Sequence, residues 1–84
     1  MSLIVIVRIG AGESPEVGFI PTLQLEEHEL PRTTIIPFDF SRESAKETYE
    51  EAVVVAEREA KQIINRKYPK GTKYRIEAEK KAVT

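Results

Sequence analysis

Residues 3–9, LIVIVRI, put apolar side chains on both faces of any strand they form. Leu3, Val5, Val7 and Ile9 point one way while Ile4 and Ile6 point the other, because side chains alternate along a strand. A strand apolar on both faces is normally buried on both. The rest of the chain offers a single amphipathic helix, enough to cover one face of a sheet. The other face is therefore expected to meet something else.

The run ends in Gly10-Ala11-Gly12-Glu13-Ser14-Pro15, which is turn chemistry. A phosphate-binding turn would need a third glycine where Pro15 stands and a helix immediately after. Gly18 and Pro21 leave room for about one helical turn, so no helix N-terminus is present to hold a phosphate. The stretch predicts a hairpin.

Val17 to Glu26 alternates as a second strand, with Val17, Phe19, Leu23 and Leu25 on one face. Pro21 marks it as an edge strand or bulged, since proline has no N–H for a ladder. Glu26 to Arg32 reads as a polar connection, and Thr33 to Phe40 as a third strand. A long helix over about residues 42–67 follows, capped by Ser41 or by Ser44 with Glu47 three residues on. Its apolar stripe comprises Ala45, Tyr49, Ala52, Val53, Ala56, Ala60, Ile63 and Ile64. Tyr68-Pro69-Lys70-Gly71 ends the helix. A basic C-terminal strand and tail over about residues 72–84 turns Tyr74, Ile76 and Ala78 inward, and Lys73, Arg75, Glu77 and Glu79 outward. The expected fold is α+β in the order β-β-β-α-β: a mostly antiparallel four-stranded sheet with the helix on one face.

Eighty-four residues make one small domain, 1–84, and the chain has no cysteine. Disulfides and thiolate metal sites are excluded, and packing or oligomerisation must supply stability. No apolar run is long enough to span a bilayer, so a soluble, cytoplasmic protein without membrane contact is expected. Thirteen of the 14 acidic residues are Glu and Asn65 is the only Asn, a composition like that of heat-adapted proteins. The net charge of −1 is uneven: residues 1–40 balance to −4 and residues 67–84 to +4. Such asymmetry suits self-association or an interaction surface.

His28 is the only histidine, so no second imidazole or thiolate completes a transition-metal site, and it reads as part of a solvated loop. The serines have turn and capping roles and no activating base. Glu59 falls on the apolar stripe as a candidate buried charge, with Arg66 or Arg8 as its partner. Arg66, Lys67, Lys70, Lys73 and Arg75, interleaved with Tyr68 and Tyr74, form a candidate nucleic-acid contact. No catalytic, cofactor or metal residue is assigned.

The β-β-β-α-β order resembles the opening of ribonuclease H-like domains and the ribosomal-S5-like fold of some ATP-dependent proteases. The resemblance is one of topology. The polar member of the first strand is Arg8, where a ribonuclease H would need an acidic residue, and no residue roles carry over.

The sequence thus predicts a non-catalytic interaction or accessory module. It self-associates, as a dimer by preference, through an uncovered sheet face bearing Ile4, Ile6, Ile20 and Ile35, and Val54 is a further exposed apolar residue on the helix. A different protein partner would serve the same surface. The alternative is a nucleic-acid-binding protein using the basic region from Arg66 to Arg75. A third class, an enzyme built around Glu59 across a dimer interface, would need that carboxyl in a cleft.

Overall fold

The computed structural model describes residues 3–78. Strands β1 (Ile4–Ser14), β2 (Gly18–Glu29) and β3 (Arg32–Phe38) precede helix α1 (Tyr49–Lys67) and strand β4 (Lys73–Ala78). They form one sheet in the order β3-β2-β1-β4, antiparallel except between β1 and β4. The predicted β-β-β-α-β, mostly antiparallel α+β fold is therefore present, with one parallel pair. The helix supplies the crossover that a parallel pairing requires.

One face of the sheet and one stripe of the helix make the core. Val5, Val7 and Ile9 of β1 and Leu23 and Leu25 of β2 are almost wholly buried, beside Ala56, Ala60, Ile64 and Tyr68. Ala52 is buried on the same stripe. The alanines carry the helix close to the sheet, since no long side chain separates the two backbones. Phe19 and Tyr49 meet edge to face at 6.1 Å and close one end.

The hairpin extends further than its glycines suggest. Gly10 and Gly12 lie within β1, opposite Thr22 and Ile20, and the chain turns at residues 15–17. A second strand, not a helix, follows the turn. Pro21 pairs with Ala11 without a bulge, and the β3 ladder stops at Leu23, leaving Pro21 at a local edge. Two residues earlier, Phe19 exchanges backbone hydrogen bonds with Lys46, both at 2.8 Å, on the side away from β1. The Pro21 nitrogen faces that same side, so β1 loses no bond to it.

Three further element boundaries differ from the sequence reading. Residues 27–29 belong to β2 rather than to a loop, and Leu30-Pro31, joined by a cis peptide, is the whole connection to β3. The third strand ends at Phe38 rather than residue 40. The helix starts at Tyr49 rather than near residue 42, where Arg42–Ser44 form a separate 3-10 turn. Thr48 is the cap: its hydroxyl accepts from the Glu51 N–H at 3.2 Å and donates to the Glu51 carboxylate at 2.9 Å. The intervening backbone is held extended by the Lys46 pairing with Phe19. Glu79 and the tail from Lys80 lie outside the described residues.

Candidate functional site: the open face of the sheet

Alternation decides what the uncovered face carries. Ile4, Ile6 and Arg8 of β1 lie beside His28, Glu26 and Gln24 of β2, and beside Lys73, Arg75 and Glu77 of β4. Thr33, Ile35 and Pro37 of β3 complete these three rows. Apolar and charged residues thus share one surface.

The polar members form a connected network. Arg8 donates from Nε to Glu26 Oε2 at 2.5 Å and from Nη1 to Glu77 Oε1 at 2.8 Å. The other Glu77 oxygen meets Arg75 Nη2 at 2.8 Å. Gln24 donates to Glu26 Oε2 at 3.1 Å, and His28 Nε2 lies 3.2 Å from Glu26 Oε1. The Arg8 hydrogen bond, followed by that to His28, holds the Glu26 carboxyl below the usual carboxylate range against the opposing effect of desolvation. The same Glu26 contact raises the Arg8 guanidinium above its ordinary value. Arg8 is thereby clamped between two carboxylates. It faces away from the helix and cannot be the partner of Glu59.

Beside this network lies an apolar depression of about 680 Å³, whose lining includes Ile4, Ile6, His28, Leu30, Lys73 and Arg75. Ile4 is 49 % exposed and Leu30, at the hairpin tip, is 90 % exposed. Leu30 is an addition to the site. Its signal in the sequence is a lone apolar side chain between Glu29 and Pro31.

The other predicted interface residues are more dispersed. Ile35 is exposed on the open face, with Glu26 between it and Ile6. Ile20 lies opposite Gly12, six positions along β1 from Ile6 and so about 20 Å away. Val54 is exposed on α1, in the other layer, and shares no surface with the isoleucines.

Glu59 is not a buried charge. Its side chain is 43 % exposed and its carboxylate lies 3.8 Å from Arg66 Nη2. The buried stripe centres on the alanine row and Ile64, which leaves Glu59 at the rim facing the segment after β3. The basic set is divided among several elements. Arg66 and Lys67 end the helix, Lys70 lies in the turn, and Lys73 and Arg75 face the open side of the sheet. Lys67 Nζ lies 4.0 Å from Glu27, and Tyr68 is buried on the helix side of the sheet.

Among the described residues no helix is long and apolar enough to cross a membrane, and no group of three or more acidic or histidine side chains is placed to hold a metal ion. No protein-family model, curated protein or solved structure matches the chain.

Proposed function

We propose that this chain is a non-catalytic interaction module that self-associates through the open face of its sheet. The observation that carries the reading is the depression beside Ile4 and Ile6, on a face that the single helix leaves uncovered. Burying exposed apolar side chains against a second copy would enlarge a core that is small for want of chain length. The contact is narrower than a uniform isoleucine surface. Ile4, Ile6 and Leu30 would supply the apolar centre, and the Arg8–Glu26–Glu77 network would form a polar rim. The charged groups of the rim are engaged with one another, which favours a structural role for them over an acid–base one.

The nucleic-acid alternative draws less support from the geometry. Three of its five cations meet carboxylates, and the five are spread over the helix end, the turn and the sheet. A continuous cationic track for a phosphate backbone calls for the opposite arrangement.

Solution mass by light scattering tests the reading, on the wild type and on Ile4→Glu/Ile6→Glu. The expected result is an oligomer whose mass falls in a variant that stays folded by circular dichroism. A folded variant of unchanged mass, or a monomeric wild type, overturns it.

A further inference from the structure

The sheet has two edges, and they differ. The β3 edge, RTTIIPF, contains Pro37, which has no N–H to offer an incoming strand. The β4 edge, KYRIEA, has no proline. Among the described residues no strand pairs with its outer side along about 20 Å. A free edge of this length is a template for another strand.

The β4 sequence is complementary to itself. Two copies running antiparallel keep their helix faces on the same side only when residues of like facing oppose each other, so the two-fold axis must pass through a residue. An axis at Tyr74 sets Lys73 against Arg75. An axis at Arg75 sets two arginines face to face, and an axis at Glu77 sets two glutamates. Directly opposed like charges are destabilising. An axis at Ile76 avoids all of these. It places Arg75 against Glu77 of the second copy and Glu77 against Arg75 of the second copy. On the helix side it sets Ile76 against Ile76 and the half-exposed Tyr74 against the small Ala78.

We propose that β4 pairs antiparallel with β4 of a second copy about a two-fold axis at Ile76. The product is a continuous eight-stranded sheet with both helices on one face. The inference rests on the reading that the chain self-associates, but it uses an edge of the sheet rather than its open face. Arg75 and Glu77, already paired within each copy at 2.8 Å, alternate in sign across the axis, and the charge-balanced cluster they form continues through Arg8 to Glu26 in each copy. Strand addition of this kind takes its affinity from main-chain hydrogen bonds and its register from the side chains.

The register makes an unusual demand that light scattering can read. Arg75→Glu alone opposes glutamate to glutamate, and Glu77→Lys alone opposes arginine to lysine. Each variant is expected to halve the mass of the assembly while remaining folded. Their equimolar mixture pairs Glu with Lys and Arg with Glu, and is expected to return to the wild-type mass. Charge variants that leave the mass unchanged, or a mixture that stays at the lower mass, overturn the edge pairing. A mass lowered only by Ile4→Glu/Ile6→Glu removes the edge and leaves the open-face contact standing. A mass lowered only by the charge variants does the reverse. A wild type that is monomeric at every soluble concentration removes both. Amide hydrogen exchange on the wild type covers the case in which a variant does not fold. Outward β4 amides are expected to slow as concentration rises while those of β3 do not, and concentration-independent β4 exchange overturns the proposal.

Discussion

The Tyr68 hydroxyl donates to Glu27 Oε2 at 2.5 Å, tying the C-cap of the helix to the end of β2 beneath it. Burial, and then this hydrogen bond to a carboxylate, push the Tyr68 phenol above its ordinary value of 10.0. A group whose folded value is raised contributes stability that is complete below its unfolded value and is lost as pH rises through the folded one. The wild type is therefore expected to lose stability above about pH 10. Tyr68→Phe should be less stable at neutral pH by about 0.5–1.5 kcal/mol and should show a shallower alkaline decline. Equal alkaline slopes in urea denaturation of the two proteins would refute the assignment.

Glu26 has the opposite sign. Its folded value is depressed, chiefly by the Arg8 hydrogen bond, so its contribution is present above the ordinary carboxylate value of 4.5 and is lost as pH falls through the folded one. Glu26→Gln is expected to lower the melting temperature at pH 7 and to lose less on acidification than the wild type. Should the variant and the wild type fall in parallel below pH 4.5, the Arg8–Glu26 pair is not the acid-sensitive contact.

Gly18 and Gly12 make a matched pair on the first hairpin. Gly18 has φ +103, and a Cβ there would lie 2.4 Å from the Lys46 carbonyl oxygen; a Cβ on Gly12 would meet nothing within 4 Å. Gly18→Ala should cost about 1–3 kcal/mol and loosen the bridge that seats the segment before the helix. Gly12→Ala should be neutral or stabilising by up to about 1 kcal/mol, through the unfolded chain. Thermal unfolding of the two variants decides, and equal shifts would show that the close approach to Lys46 does not constrain the turn.

The element order and the inward faces of β1 and β2 were legible because alternation and helical periodicity are local signals. On β4, at the sheet edge, only Ile76 packs against the core, while Tyr74 and Ala78, read as inward, are exposed. Helix onset was not. Ser44–Glu47 and Thr48–Glu51 both match a capping box, and the choice between them rests on Lys46 pairing with Phe19, a contact 27 positions away in the chain. Glu27 and Glu29 read as a loop by composition, with Glu26 at the strand's end. In the structure Glu27 finds Tyr68 and Glu26 finds Arg8, partners that only the strand register supplies. The open face was read in part for the same reason: alternation placed Ile4 and Ile6 there, and Lys73, Arg75 and Glu77 on the outward side of β4, but not Glu26 and His28, which the register sets beside the isoleucines.

The parallel alignment of β4 with β1 has a kinetic side. The three-stranded meander can assemble through short loops, whereas Ile4 meets Lys73 only after the helix and both its connections have been traversed. Loop-closure entropy places that encounter late. Until it occurs, β1, the most apolar strand in the chain, is itself the margin of an unfinished sheet, with Val5 and Val7 beside an unfilled slot. A partly assembled molecule is therefore most vulnerable to misdirected pairing along β1, and the arrival of β4 moves that exposure onto a strand carrying Lys73, Arg75 and Glu77.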